Sequence, residues 1–209
     1  MAGKLFIASP AYSASYCAEY VQSLVDTIKD CKDHDILTVY KQVNGMHWID
    51  IARDVLAHIF LQTDCTHMLQ IDADLGWDAD APRRMMERDK PIIGGTYPIK
   101  TDAMNYFPIK RGESFTTVDA LPGGFLMVKR EVIERMIDGK PRYECSTLEY
   151  GKLQVAPLFT RKMTDSGYIG EDYAFCERAI EAGFDIWLEP NINFSHVGIK
   201  SWNGNYLRI

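Results

Sequence analysis

The sequence predicts an α/β fold with a mostly parallel central sheet flanked by helices. Two observations carry that prediction. Short apolar, strand-like runs alternate with segments of helical periodicity through the first hundred residues, and the chain closes on a helix followed by two further strand-like runs. A third observation places the function: the apolar run Met68 to Ile71 ends in two carboxylates, Asp72-Ala-Asp74, where open α/β sheets bind their ligands.

In order, Lys4 to Ser9 reads as a strand stopped by Ser9-Pro10. Ser13 or Ser15 then caps a helix whose apolar residues Val21, Leu24, Val25 and Ile28 recur at helical spacing. Asp35 to Val43 alternates as a second strand. Ile49, Ala52, Val55, Leu56, Ile59 and Phe60 give an amphipathic helix over about 48–63. The strand bearing the acidic pair follows, then a short polar helix around Ala81 to Arg88 and a buried strand, Pro91-Ile-Ile-Gly-Gly95. Further on, Gly124 to Lys129 is a strand leading into a helix over Glu131 to Ile137. Glu171 to Ala182 is a helix closed by Gly183, and Phe184–Leu188 and Ile192–His196 are closing strands. Segments 101–120 and 140–168 are polar and turn-rich, and read as site-forming loops.

Composition narrows the function. Of 209 residues, 46% are apolar and 25% charged, with a net charge of −6, which argues against a general nucleic-acid binder. Basic residues at 100–111 and 129–142 leave room for a local groove. The five cysteines (Cys17, Cys31, Cys65, Cys145, Cys176) are widely spaced and form no C-x-x-C, so neither a zinc site nor a disulfide framework is expected. Cys17, Cys65 and Cys176 read as small core residues. No run approaches a membrane span or a signal peptide, and the expected compartment is the cytoplasm.

The chemistry centres on strand ends. In an extended strand, Asp72 and Asp74 would project to the same side, and a divalent cation shared with a diphosphate would relieve their repulsion. A strand-end turn pair is the plainer reading of the same two residues. Ser9-Pro10-Ala11-Tyr12 forms a turn able to hold a nucleobase. Arg53 lies on the long helix, Gly170-Glu171-Asp172 opens another, and His196-Val-Gly198 ends the last strand. Taken singly, Glu171-Asp172 is equally well a helix-start charge preference, and His196 and Gly123-Gly124 equally well a strand-end histidine and a turn.

In sequence order, Asp72-Ala73-Asp74, Gly94-Gly-Thr-Tyr-Pro-Ile-Lys100, Gly123-Gly124-Phe-Leu-Met-Val-Lys-Arg130, Gly170-Glu-Asp172 and His196-Val-Gly198 resemble a glycosyltransferase of the GT-A fold, family 2-like, of the small soluble type found in bacteriophages and bacteria. The family pattern often has Arg-Asn in the first long helix, where this chain has Arg53-Asp54. The resemblance implies one domain over 1–209, with 1–100 binding the nucleotide-sugar and 101–209 binding the acceptor and carrying catalysis. It implies inverting transfer from a UDP-linked sugar to an acceptor hydroxyl, on a surface glycan or a modified DNA base. Asp72, Asp74 and His196 would hold Mn²⁺ or Mg²⁺, imidazole favouring the former. Asp172 or Glu171 would be the base. Ser9 to Tyr12, Arg53, Asp72, Ala73, Lys100, Gly123 and Gly124 would contact the donor.

Other classes fit less well. A nucleotidyltransferase usually carries a Gly-rich basic loop after the first strand, and Ser9-Pro-Ala-Tyr-Ser13 has neither glycine nor lysine. A dinucleotide-binding dehydrogenase needs G-x-G-x-x-G there. A catalytically silent nucleotide-sugar or carbohydrate-binding module shares every feature except turnover.

Overall fold

The computed structural model describes residues 3–101, 105–106, 115–165 and 167–208. The elements are β1 (Lys4–Ala11), α1 (Ala18–Asp33), β2 (Leu37–Asn44), α2 (Ile49–Leu61), β3 (His67–Ile71), β4 (Leu75–Trp77), α3 (Ala81–Glu87), β5 (Ile92–Gly94), β6 (Thr116–Val118), β7 (Phe125–Lys129) and α4 (Arg130–Ile137). They continue with β8 (Tyr143–Thr147), β9 (Gly151–Val155), β10 (Lys162–Thr164), β11 (Gly167–Ile169), α5 (Glu171–Glu181), β12 (Ile186–Leu188), β13 (Asn193–Val197) and β14 (Ser201–Asn205). Seven strands form the central sheet in the order β2-β1-β3-β7-β5-β12-β6. Five run one way; β7 and β6 run against them.

The inner strands are near-continuous apolar runs because the sheet is covered on both faces, successive residues going to opposite sides. Phe6, Met68, Leu126 and Val128 pack against α2, α4 and α5 on one side, while Leu5, Ile7, Leu69, Phe125 and Met127 pack against α1 on the other. Cys65 and Cys176 are core residues as expected. The antiparallel entry of β7 between β3 and β5 brings Gly123 and Gly124 beside the acidic pair.

Three expectations are corrected. Helix α1 is capped by Cys17, whose Sγ accepts the Tyr20 N–H (3.2 Å), whereas Ser13 and Ser15 bond each other; Cys17 is half-buried at the cap and packs against the edge of the core. The face α1 buries is Tyr20, Thr27 and Cys31, and Val21, Val25 and Ile28 are exposed. Thr27 and Ser23 satisfy polar groups of β4 and the following turn: Trp77 N–H donates to Ser23 Oγ (2.9 Å), Trp77 Nε1–H to Thr27 Oγ1 (2.9 Å), and Thr27 Oγ1–H to the Ala79 carbonyl (3.1 Å). Thirdly, 140–168 is not irregular. It folds as the hairpins β8-β9 and β10-β11, whose polar sequence carries little periodic signal.

Candidate active site

The central strand β3 stops at Ile71, and the chain turns, with Leu75 N–H donating to the Asp72 carbonyl (3.2 Å). Three elements hold the turn: Gly124 O accepts from Asp72 N–H (3.0 Å), Ala73 O accepts from Cys17 N–H at the start of α1 (3.1 Å), and Asp74 O accepts from Val197 N–H of β13 (2.8 Å). The two acids therefore do not share one strand face, as extended geometry would have it. Asp72 points inward to Arg53; Asp74 points outward to Lys100 and His196.

Arg53 is the buried hub. Its guanidinium donates to Asp72 Oδ1 (3.0 Å) and Gln70 Oε1 (3.2 Å), and its Nε lies 3.8 Å from Glu171 Oε1. Burial works against its charge, but Asp72, Glu171 and Asp172 outweigh that and keep it protonated. Burial raises the Asp72 carboxyl above its ordinary range; Arg53 pulls it back, while Asp74 and Asp172 push it further up. Glu171 is likewise raised by burial and restrained by Arg53. The glycines make this packing possible. A Cβ on Gly123 would overlap Arg53 Nη1, and one on Gly124 would lie 2.6 Å from Asp72 Oδ2 and overlap the Tyr97 hydroxyl.

His196 Nδ1 lies 2.7 Å from the Pro98 carbonyl and donates to it, so Nε2 carries the lone pair. That nitrogen faces Asp74 Oδ1 at 3.7 Å. Burial lowers the imidazole's pKa, which keeps it neutral. A neutral imidazole lone pair aimed at a carboxylate, with its tautomer set by a carbonyl, is the donor arrangement a cation requires. Asp74 and His196 are the side chains that would hold a divalent ion here, with the rest of its ligands to come from outside the chain. Asp72 is turned away to Arg53, and among the described residues no group of three His, Cys, Asp or Glu side chains is arranged to hold a metal. Lys100 Nζ pairs with the other Asp74 oxygen.

Asp172 opens α5. Its Oδ2 accepts the Gly123 N–H (3.1 Å) and its Oδ1 the Tyr173 N–H (2.8 Å), leaving each oxygen a further lone pair. A cavity of about 460 Å³ lies beside the acidic turn, lined by Pro10, Tyr12, Tyr16, Asp72, Ala73 and Asp74 among others. Tyr12 is exposed and packs edge-on against His47. Ser9 and Ala11 are buried beneath the cavity, with the Ser9 hydroxyl bonded to Tyr20, and Arg53 is likewise enclosed.

Sequence reasoning missed Tyr97, Gln70 and Pro98. The Tyr97 hydroxyl accepts the Gly124 N–H (3.2 Å), its ring packs on His196 (5.0 Å between centroids), and burial beside Asp72 keeps it a phenol. Its signal was the Tyr-Pro after a Gly-rich strand exit. Of the described basic residues, Lys129 pairs with Asp89, Arg130 donates to the Cys65, Phe60 and Thr63 carbonyls, and Arg161 pairs with Asp50, whereas Arg135 and Lys140 line a cavity of about 220 Å³ with Arg178, Asp138 and Glu181. Lys110, Arg111 and most of the 101–120 loop lie outside the described residues.

No protein-family model and no curated protein sequence matches the chain. Among solved structures, A197 from STIV is similar over 99% of this chain and 92% of its own, with a TM-score of 0.60 at 15% identity. TarS 1-349 of S. aureus, solved in complex with UDP-GlcNAc, is similar over 88% of this chain, with a TM-score of 0.51 at 13% identity; the chain spans 55% of its length. The fold is of the GT-A type.

Proposed function

We propose that this protein transfers a sugar from a nucleoside diphosphate, UDP in the first instance, to an acceptor hydroxyl with the help of a divalent cation. The observation that carries the reading is the facing pair Asp74 Oδ1 and His196 Nε2, 3.7 Å apart, beside a nucleotide-sized cavity at the strand ends. The UDP-GlcNAc bound to TarS supports the donor class.

In this reading Pro10, Tyr12 and Tyr16 receive the nucleoside, and Asp74 and His196 hold the cation, Mn²⁺ before Mg²⁺. When bound, the cation offsets the negative charge that develops on the leaving diphosphate. Lys100, already beside Asp74, adds a second positive charge there. Arg53 acts from beneath, holding Asp72 in place and neutralising it. Asp172 accepts the proton of the acceptor hydroxyl as the bond to the sugar forms, with Gly123 N–H and the first turn of α5 fixing its orientation. One face of attack by the acceptor, opposite the leaving diphosphate, makes the transfer inverting. The hairpins of 140–168 would flank the acceptor.

Release of UDP from a panel of UDP-sugars, with and without Mn²⁺, tests the reading. Metal-stimulated release supports it. UDP binding without any release, in the presence of Mn²⁺ and candidate acceptors, would instead identify a silent binding module.

A further inference from the structure

A cavity larger than the one beside the acidic turn lies elsewhere on the molecule. A groove of about 890 Å³ runs between the first turns of α1 and the small sheet β14-β13-β4. The two cavities share no lining residue: Cys17 borders one and Ala18 the other. Ser195 pairs with Gly76, and His196 with Leu75, so their side chains leave β13 on opposite faces. The groove therefore occupies the reverse face of the sheet that presents His196.

Its lining has a distinct chemistry. Gln22, Asn193, Asn203 and Asn205 bring four carboxamides, and Ser195 a hydroxyl. At the base, Asn205 Nδ2 donates to Asn193 Oδ1 (3.0 Å), and Asn193 Nδ2 donates to Asp78 (3.0 Å), so this end is fixed before any ligand arrives. The exposed Asn203 carboxamide and the Ser195 hydroxyl have no partner among the described residues, and Gln22 uses only its Nε2, on Asp26. Between these polar groups the lining is of small residues, Ala18, Gly76 and Gly204, while the Phe194 and Trp77 rings are buried in the core behind it.

No Lys, Arg or His lines the groove, whereas Glu19 and Asp78 do. An anion such as a nucleotide, a phosphate or a nucleic-acid backbone would find no counter-charge and would meet two carboxylates. Carboxamides and a hydroxyl offer donors and acceptors together, as vicinal hydroxyls require, and the small residues Ala18, Gly76 and Gly204 between them leave room for a pyranose ring. The volume lies within the roughly 300–1,000 Å³ of ligand clefts.

We infer that this groove is a second binding site, for an uncharged oligosaccharide. The inference stands on the groove's own chemistry and does not require that the protein transfer sugar. The test records the side-chain NH₂ resonances of Asn203 and Gln22 in the ¹⁵N-labelled protein. Short neutral oligosaccharides of the gluco, manno, galacto and N-acetylglucosamine series are titrated in, with a sulfated oligosaccharide and a neutral peptide as controls. At least one neutral series is expected to shift both resonances and to remain bound when UDP is added. Asn203→Ala and Gln22→Ala, both at surface positions that leave the fold intact, are expected to weaken that binding about five- to tenfold each, the worth of one hydrogen bond. UDP binding should not change in either variant. The inference is overturned if no neutral series shifts these resonances at millimolar concentration, if the sulfated oligosaccharide or the peptide binds there in their place, or if the two variants bind as the parent does. None of these results depends on turnover, so they leave the transfer reading to its own assay.

Discussion

At the scale of single residues, the two carboxylates of Asp72-Ala-Asp74 have been given different work by one turn of the chain. Asp72 is spent on Arg53, whereas Asp74 faces the neutral Nε2 of His196. Asp74→Asn is therefore expected to lose Mn²⁺ binding, read by electron paramagnetic resonance, while melting close to the parent because the side chain is partly exposed and contributes little to the core. Unchanged Mn²⁺ affinity in that variant would move the cation elsewhere. Asp172 makes a separate prediction. Asp172→Asn keeps an oxygen for the Gly123 N–H, so UDP binding should persist while transfer falls by about 10²–10⁴-fold. Near-normal transfer, or a product that retains the donor's anomeric configuration, would return Asp172 to a helix-start role.

At the scale of elements, α1 shows how polar partners can override apolar spacing. Its buried face includes Thr27 because that hydroxyl accepts from the Trp77 indole and donates to Ala79 O, while Val25 stands in solvent. Thr27→Val keeps the shape but leaves a buried indole N–H without its acceptor, and should cost about 1–3 kcal/mol in urea unfolding. Val25→Lys should fall within about 0.5 kcal/mol of the parent. The opposite ranking would restore the apolar face as the packed one. The turn before β7 is a second case: Gly123 and Gly124 let backbone approach Arg53 and Asp72 more closely than any side chain would permit, which ties the position of β7 to the geometry of the acidic turn.

At the scale of the molecule, Asp54 joins α2 to the distant segment that follows β9. It is buried and accepts from Leu158 N–H (2.9 Å), Phe159 N–H (2.8 Å) and the Tyr143 hydroxyl (2.7 Å). Burial nonetheless outweighs these bonds and pushes its carboxyl from 3.8 up to about 6. The folded chain thus holds this proton more tightly than the unfolded one. The stability it contributes is complete below about pH 4 and is lost as pH rises through about 6, an effect of up to roughly 3 kcal/mol. Asp54→Asn, neutral and of the same shape, is expected to be more stable than the parent by about 1–3 kcal/mol near pH 8 and to show no such advantage near pH 4. Denaturant unfolding at the two pH values checks it. A variant less stable than the parent at the higher pH would mean that the charged acceptor is worth more than its burial costs.

Much of this architecture is local in origin and was legible in the chain. Strand and helix periodicity placed β1, β2, α2, β3, β5, β7, α4, α5 and the closing strands to within a few residues, because burial on a sheet or helix imposes a repeat that the residues themselves display. The acidic pair, Arg53, Gly123-Gly124, Glu171-Asp172 and His196 could be picked out, and the fold brings them to one end of the sheet. Their individual orientations could not. Asp72 and Asp74 part company because Cys17, Gly124 and Val197, each far away in sequence, hydrogen-bond the turn between them. Arg53 is enclosed rather than presented because β7 inserts antiparallel between β3 and β5 and carries the glycine pair over it. The hairpins β8-β9 and β10-β11 and the carboxamide groove are built from polar residues without periodicity. Which residues would occur near the site was a property of the sequence; which way each one faces was decided only when segments remote along the chain paired and satisfied one another's backbone.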